Sequence, residues 1–276
     1  MVRSLWSAAT GMNAQQTNVD TISNNLANVN TTGYKAQGAQ FKSLLYQELQ
    51  TITTTANGAP KPTTSQVGLG VRTSTINQYF SQGSYQENAN PAALAIGGDG
   101  FFKYQGATDG EVFYTRNGNF TWALDQGNAL VLTTAEGNKV LGLNDQPILV
   151  NGNFVASRIT IGGDGKIYYP DAQGVPQQVN GQQIVLWQFP NREGLQRVGS
   201  VAWQETAASG AAINETQPNG ANIKVSELVQ GYLEGSNVNV ATEMVNLIVA
   251  QRAYEMNSTA IQTTDEMMQT ANSLKR

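Results

Sequence analysis

Apolar residues recur every seven positions at both ends of the chain, and no other feature of the sequence constrains the fold as strongly. Such a repeat predicts helices that pack along a coiled-coil seam. We therefore expect one helix at each end of the chain, and we expect the two to pack together. At the amino end the repeat consists of Leu5, Met12, Val19 and Leu26, with Ala8, Gln15, Ile22 and Val29 three residues later; at the carboxyl end it consists of Val240, Leu247, Tyr254, Ile261 and Met268, widened by Met244 and Ile248.

Local signals also predict where these helices end. Gly33 suits the left-handed conformation that terminates many helices, so the first helix should stop just before it. The second helix should begin at Asn239 or Thr242, either of which could cap it, and should continue to about residue 273. At roughly 30 residues it would be longer than most helices of globular proteins, which again favours a bundle or coiled coil.

The first helix ends in an unusual run of asparagines, in the sequence TISNNLANVNTTGYK at residues 21–35. Asparagine is a mediocre helix former because its amide competes for nearby backbone groups. Polar residues at packed positions can nevertheless fix register and partner choice between subunits. We therefore expect this helix to meet several neighbours, with subunit packing by the following residues: Leu5, Met12, Val19, Ile22, Asn24, Asn25, Leu26, Asn28, Val29, Val240, Met244, Leu247, Ile248, Tyr254, Ile261 and Met268.

Between the helices the sequence changes to short apolar or alternating runs separated by Asp-Gly and Asn-Gly pairs. This pattern is typical of antiparallel hairpins. We expect the strands to enclose a core formed by Phe101, Phe102, Phe113, Phe120, Leu130, Ile159, Ile161, Ile184, Leu186 and Trp187.

The predicted fold class is therefore α+β, a discontinuous terminal helical coiled-coil domain with an inserted antiparallel all-β domain. Residues 1–46 and 222–276 would form the helical domain, and residues 71–221 the mostly β domain. Residues 47–70 are polar and rich in threonine, with Pro60 and Pro62. They predict an extended linker between the two domains.

The composition argues against catalysis. The chain has no cysteine and no histidine, which excludes disulfides, thiolate nucleophiles and metal sites built from those residues. Charged residues make up 13% of the chain and the net charge is −4, without the basic clusters that bind nucleic acid. We expect no catalytic residue, no metal and no cofactor.

The repeated sequence IGGDG, at residues 96–100 and 161–165, has two interpretations. Tandem glycine-aspartate repeats bind calcium, but these two copies are far apart and each precedes a predicted strand. Hairpin turns are the better interpretation of both. The GLG sequence at residues 68–70 lacks a third glycine and predicts a tight bend in the backbone.

No stretch of the sequence has the roughly 18 consecutive apolar residues of a membrane-spanning helix, so we expect no direct membrane insertion. The first residues lack the apolar core of a cleavable signal peptide. The chain is therefore expected either to stay in the cytosol or to leave by a route that reads no cleaved signal.

Several segments resemble the flagellar rod, hook and hook-associated axial proteins. They are SNNLANVNTTGYK at residues 23–35, the stretch at residues 70–102, YTRNGNF at residues 114–120 and the stretch at residues 236–268. Within this family, the length and the stretch at residues 47–66 are similar to those of distal rod subunits. The alternatives are a proximal rod protein or a hook-type axial subunit.

The resemblance implies a structural role without enzymatic activity. Such subunits polymerise into the rod, a drive shaft across the periplasm that carries torque from motor to hook. The implied partners are further copies of the chain in a helical homopolymer, proximal rod and hook proteins, the surrounding basal-body ring proteins and the flagellar export apparatus. The extra linker is thought to lock neighbouring subunits and to keep the rod straight.

Two hypotheses come from other classes of protein. An adhesin with a β head and a coiled-coil stalk would share the architecture, but polar residues such as Gln15, Gln251 and Ser258 interrupt the repeats. A hydrolase built on the β domain would depend on clustered carboxylates such as Asp99 and Asp164. Their glycine-rich surroundings are explained better by turns.

Overall fold

The computed structural model describes residues 2–50, 65–106, 110–125, 127–152, 154–171, 173–216 and 223–274. It contains an amino-terminal helix, mostly antiparallel sheets and a carboxyl-terminal helix, which confirms the α+β class. The chain forms two compact units. Unit 1 comprises Met1–Ala27, Gln37–Gln78 and Asn239–Arg276, and unit 2 comprises Asn28–Ala36 and Tyr79–Val238.

Unit 1 contains both long helices, α1 (Val2–Ala27) and α2 (Val240–Ser273). The predicted cap of α2 is confirmed, because the Asn239 side chain accepts a hydrogen bond from the backbone N–H of Thr242 at 3.2 Å. α2 is 34 residues long, close to the predicted length. Gly33 has the predicted left-handed conformation, with a φ of +71°. The prediction that the helix stops just before Gly33 is wrong, because α1 ends at Ala27 and the chain turns at once, with the Thr31 N–H donating to the Asn28 carbonyl at 3.1 Å. Val29 of the seven-residue repeat therefore lies beyond the helix.

The strands of unit 1 form two antiparallel pairs. β1 (Gln37–Ser43) pairs with β4 (Val71–Gln78), and β2 (Tyr46–Gln50) pairs with β3 (Ser65–Gly68). The outer parts of the stretch predicted as an extended linker are therefore paired strands, while residues 51–64 lie outside the described residues. The bend at the GLG sequence is confirmed, since Gly70 has a φ of +111°.

Unit 2 is built from short antiparallel strands in several sheets. The largest has seven strands, with β8 and β7 at its centre in the order β17-β18-β8-β7-β16-β19, and β11 pairing with β7. The strands are β5 (Tyr85–Glu87), β6 (Leu94–Gly97), β7 (Phe101–Gln105), β8 (Val112–Thr115), β9 (Phe120–Leu124), β10 (Ala129–Thr134), β11 (Val140–Leu141), β12 (Leu149–Asn151), β13 (Thr160–Ile161), β14 (Lys166–Pro170), β15 (Pro176–Gln183), β16 (Leu186–Gln188), β17 (Gln196–Arg197), β18 (Ala202–Gln204), β19 (Ile213–Asn214), β20 (Glu227–Gln230) and β21 (Tyr232–Glu234).

The central strand β7 is buried on both faces. Successive side chains of a strand point to opposite faces, so Phe101 and Phe102 belong to different clusters. Phe101 packs with Trp203, and Phe102 packs with Phe120. The predicted core residues are buried, except that Phe113, Leu130 and Trp187 are half-buried.

The two IGGDG sequences have different roles, so the hairpin interpretation is right for one copy and wrong for the other. Residues 161–165 turn between the paired strands β13 and β14, with Gly165 at a φ of +80°. Residues 96–100 instead connect β6 to β7, which lie in different sheets because β6 pairs with β20. A turn sequence predicts that the chain changes direction but does not predict which strand it will pair with next.

Candidate assembly surfaces and a buried charge cluster

Helix α1 packs against α2 on one side and against strands β1 and β4 on another. Small side chains permit these contacts: Ala8 and Ala14 on α1 and Ala250 on α2 are all buried. Gly11 marks a close approach between the helices, because a Cβ atom there would lie 2.9 Å from Asn257 Nδ2. Its low helix propensity is therefore offset by the packing that it permits.

The side of α1 that faces the strands is polar, and the seven-residue repeat did not predict it. The Thr10 hydroxyl accepts a hydrogen bond from the backbone N–H of Val71 at 3.3 Å. The buried Asn25 amide donates to the Gln37 carbonyl at 2.7 Å and accepts from the Gln37 N–H at 2.9 Å. The Asn25 side chain thus pairs with β1 as a neighbouring strand would, which gives it a role within the chain.

Helix α2 carries two apolar faces. Ala250 and Thr264 are buried on one face, whereas Val245 and Val249 are 59% and 63% exposed. An α-helix turns by about 100° per residue, so Val245 and Val249 lie about 140° and 100° from Ala250 around the helix, on a different face. The exposed apolar residues of this helix are Val240, Met244, Val245, Ile248, Val249, Tyr254, Met256 and Met267.

The residues predicted to pack between subunits differ in exposure within the single chain. Ile22 and Asn25 are buried, and Asn24 is exposed. Asn28 is half-buried and its side chain accepts a hydrogen bond from the Thr31 hydroxyl at 3.1 Å. Leu5, Met12, Val19, Leu26, Val29, Leu247, Ile261 and Met268 are half-buried, and Val240, Met244, Ile248 and Tyr254 are exposed.

Unit 2 contains a cluster of three buried charged side chains. The Glu234 carboxylate accepts hydrogen bonds from Lys35 Nζ at 2.6 Å and from Arg116 Nε at 2.8 Å, and all three side chains are at most 1% exposed. Arg116 also donates to the carbonyls of Gly100 and Gly98, at 3.1 and 2.9 Å. Burying a charge is unfavourable unless it is paired and hydrogen-bonded, and each member of this cluster is both.

Burial and pairing shift the pKa values in this cluster. Burial lowers the pKa of Lys35 from 10.5 to about 8, and the positive charge of Arg116 acts in the same direction, while Glu234 opposes both. For Glu234, burial by itself would raise the pKa. The charges and hydrogen bonds of Arg116 and Lys35 outweigh it and hold the pKa of the carboxyl below its usual value.

A buried network of neutral donors surrounds a second carboxylate in unit 2, that of Glu215. It accepts hydrogen bonds from Gln188 Nε2 at 2.7 Å, from the Ser226 hydroxyl at 2.8 Å and from the Ser226 N–H at 2.6 Å. These bonds tie β16 to the segment that precedes β20. The carboxylate therefore holds two parts of the chain together.

The aspartates of the IGGDG sequences have surface partners. Asp99 forms an ion pair with Arg192, and Asp164 forms one with Lys166 at 2.9 Å. Hydrogen bonding to Lys166 holds the pKa of Asp164 below its ordinary value. Among the residues that the structure describes, no group of three or more acidic side chains could hold a metal ion.

Sequence reasoning missed the charge cluster, although part of it lay in view. Lys35 and Arg116 belong to two of the segments that carry the family resemblance, but their partner Glu234 is 199 and 118 positions away, respectively. The sequence offered little signal, because the three charges lie among mixed residues, in GYKAQ, YTRNG and YLEGS. Within the described part of the chain, neither helix is long and apolar enough to span a membrane.

The described residues thus form two long helices, one with large exposed apolar side chains, and a β unit with buried ion pairs. Comparisons with known proteins specify the class. Three family models match the chain: Flagella basal body rod protein at residues 5–35, Flagellar hook protein FlgE/F/G D1 domain at residues 95–169, and Flagellar basal body rod FlgEFG protein C-terminal at residues 229–274.

Full-length relatives agree with these models. The chain is 44% identical over 282 residues to the flagellar basal-body rod protein FlgG of Borreliella burgdorferi, with 100% of both chains covered. It is 42% identical to the protein of the same name from Buchnera aphidicola subsp. Schizaphis graminum, over 99% of this chain and 100% of that one. It is 32% identical to the flagellar hook-basal body complex protein FlhP of Bacillus subtilis, with 100% of both covered. The chain belongs to the flagellar basal-body rod protein family, as the resemblance in its sequence predicted.

Proposed function

We propose that this chain is a structural axial subunit that polymerises into the distal part of the flagellar rod, the drive shaft that transmits torque from the motor to the hook. Full-length similarity to several proteins named as the rod protein FlgG supports this role. The lower identity to the hook-basal body complex protein FlhP favours it over another axial position. The role requires no catalytic residue and no cofactor.

The observation that carries the proposal is the uncovered apolar face of α2. Met244, Val245, Ile248 and Val249 are 52%, 59%, 57% and 63% exposed, and they lie on two successive turns. Contiguous exposed apolar surface marks an interaction site. Since α1 packs against another face of α2, the uncovered face is available to a neighbouring subunit.

In this proposal the terminal segments, residues 1–46 and 222–276, form a discontinuous coiled-coil domain, and residues 71–221 form an inserted β domain that faces outward. The helices of successive copies pack side by side in a helical homopolymer. Such a filament arises when one surface of a subunit binds a different surface of the next and the contact does not close into a ring. Residues 47–70 would lock neighbouring copies.

The remaining partners follow from the same role. Proximal rod and hook proteins would continue the shaft at its two ends, the basal-body rings would surround it, and the flagellar export apparatus would deliver the unassembled chain. We keep the predicted packing residues as the inner contact set and add Val245 and Val249 to them. Asn25 fits this set less well, because its amide already binds the backbone of Gln37.

The test is a charge placed on the uncovered face. We expect Val249→Asp to abolish rod assembly, because a buried carboxylate without a partner would face the apolar side chains of the next subunit. The purified variant should keep the far-ultraviolet circular dichroism of the wild type, since Val249 is 63% exposed in the single chain. Rods are counted by electron microscopy of isolated basal bodies.

Val175→Asp is the matched control, because Val175 is 55% exposed and lies between β14 and β15 in unit 2. We expect this variant to assemble. Normal rods from Val249→Asp would contradict the proposal. If both variants lose rods equally, the effect of the added charge does not depend on its position on α2, and this result would also contradict the proposal.

A further inference from the structure

We propose that Asn237 and Glu234 are positioning residues that bind three chain segments of unit 2 to one another. These segments are residues 33–36, which precede β1, residues 79–83, which follow β4, and residues 234–237, which precede α2. Mechanical load that acts on any one of these segments would then be shared by all three through one hydrogen-bonded cluster. The inference rests on the proposed function, since only a subunit of a rotating shaft experiences such load. We call Lys35, Ser81, Arg116, Glu234 and Asn237 the junction cluster.

The first observation is an amide inserted between two strands. The N–H of Tyr79 donates to the Ala36 carbonyl at 2.9 Å, which continues the pairing of Gln37 with Gln78 by one step. The reciprocal bond of an antiparallel pair would join the Ala36 N–H to the Tyr79 carbonyl. Here Asn237 replaces it: its Oδ1 accepts from the Ala36 N–H at 2.7 Å, and its Nδ2 donates to the Tyr79 carbonyl at 2.7 Å.

Asn237 therefore binds both strands of the pair at once. It lies two residues before the Asn239 cap of α2, so the segment that leads into this helix is fixed to the other two. Its Nδ2 also lies 2.9 Å from the Ser81 hydroxyl. An amide supplies both a donor and an acceptor in one plane, which neither a carboxylate nor an alkyl side chain of this size can do.

The second observation is that Glu234 holds the same three segments a few residues further into unit 2. Its carboxylate binds Lys35 Nζ at 2.6 Å and the Gly83 N–H at 3.0 Å, and its backbone carbonyl accepts from the Gly33 N–H at 2.8 Å. Lys35 Nζ in turn donates to the Ser81 carbonyl at 2.7 Å. Each segment is thus bonded to both others.

The backbones in this region are too close to slide past one another. A Cβ atom on Gly83 would lie 2.0 Å from the Gly235 carbonyl oxygen, so these two segments meet backbone to backbone. A shift of one residue along the segment that carries Lys35 or the segment that carries Glu234 would also separate these two charges and leave a buried charge unpaired. Burial keeps water from replacing the bonds of Glu234 to Lys35 and Arg116, while the half-buried Asn237 adds exposed bonds to Tyr79 and Ser81. The junction cluster therefore resists slippage of the segments.

The test compares Asn237→Ala with Asn191→Ala in cells that make no other copy of the protein. Asn191 provides a matched control because its Nδ2 donates one exposed hydrogen bond, at 3.1 Å, to the Ala208 carbonyl in the same unit. Rods are counted in isolated basal bodies, and the rotation of tethered cells is recorded in media of increasing viscosity. We expect both variants to build rods and to rotate at low load. Only Asn237→Ala should lose rotation at high load.

Hydrogen exchange on the purified full-length variants separates positioning from general instability. We expect Asn237→Ala to accelerate exchange of the Ala36 amide, which loses its acceptor, while the amides of the central strand β7 keep wild-type rates. If Asn237→Ala instead accelerates exchange throughout unit 2 and yields fewer rods that rotate normally at every load, the residue has only a structural role and the inference is overturned. Wild-type rotation at every load would overturn it as well.

Cells that lack the chain distinguish failure of the inference from failure of the proposed function. If such cells still build a complete rod, the proposed function is wrong and the inference fails with it. If they lack the distal rod while Asn237→Ala cells rotate like the wild type at high load, only the inference is overturned. Loss of rotation in Asn237→Ala cells at high load alone, with rods present, supports both.

Discussion

The two units of this chain bury different kinds of residue. Unit 2 buries large side chains, with Trp203, Phe101, Phe102 and Phe120 fully enclosed. The buried apolar residues described in unit 1 are Ala8, Ala14, Ile22 and Ala250, while most of the large exposed apolar side chains of the chain also belong to this unit. Buried apolar area is the main source of stability, so the core of unit 2 contributes more than that of unit 1. In the proposed rod, other copies would cover the exposed apolar side chains of unit 1 and stabilise it.

The charges of the two units show the same difference. Arg252 and Glu255 on α2 form an ion pair at 3.0 Å, but both side chains are largely exposed, so the pair contributes little stability. The pair of Arg116 and Glu234 in unit 2 is fully buried. Unit 2 also carries surface pairs, such as Asp164 with Lys166, but among the described residues the buried ion pairs belong to unit 2.

Hydrogen exchange of the unassembled protein should show the largest difference between the units. We expect amides of α2 to exchange at least about a hundredfold faster than amides of β7, because local opening of a helix with one uncovered face requires far less free energy than opening of the core. In assembled rods the difference should shrink as neighbours cover α2. Exchange is read by segment with mass spectrometry.

Equal protection of α2 and β7 in the monomer would contradict the comparison. It would mean that the two helices form a self-contained bundle, and the adhesin-like alternative would gain support. The amides of β14 provide an internal control, since this strand lies in unit 2 between two partners and should resemble β7.

The sequence predicts the two units unequally, for physical reasons. The helices follow from local information, since the heptad spacing and the Asn239 cap lie within a few residues of the structures that they specify. The polar face of α1 was missed because Thr10 and Asn25 bind strand backbone, which leaves no apolar pattern. The partners of Lys35 and the route of the first IGGDG sequence depend on pairings between distant segments, and local turn signals carry no information about them.

Removing the central anion of the buried cluster should destabilise unit 2. We expect Glu234→Leu to lower the free energy of unfolding by about 3–5 kcal/mol, because Lys35 and Arg116 would remain buried without a counter-charge. Urea unfolding followed by tryptophan fluorescence measures this, since Trp203 is fully buried in the same unit.

The surface pair provides the control for that substitution. Glu255→Leu breaks an ion pair in which both side chains are largely exposed, and we expect a change of less than about 1 kcal/mol. If the two variants lose similar free energies of unfolding, the buried cluster stabilises the fold no more than a surface ion pair does. The proposed difference between the charges of the two units would then be wrong.

The smallest expected effect is a dependence of stability on pH that Lys35 imposes. Its pKa is about 8 in the folded chain and 10.5 when unfolded, so between these values the unfolded chain binds more protons. Stability should therefore rise with pH from about 8 upward. The pKa of Glu234 lies below its ordinary 4.5, so its contribution is present above that value and is lost as the pH falls through the folded pKa.

Urea unfolding at pH 7 and at pH 9.5 measures the first of these effects. The upper limit avoids tyrosine ionisation. Burial raises the pKa of Tyr114 well above its usual value of 10.0, so at still higher pH the unfolded chain loses this proton first and stability falls. We expect the wild type to gain stability between the two pH values, Lys35→Met to lose that gain, and the exposed-lysine variant Lys42→Met to retain it. If the gain in stability between pH 7 and pH 9.5 persists in Lys35→Met, another group must cause it. Glu234 would then hold Lys35 in its charged form despite its burial.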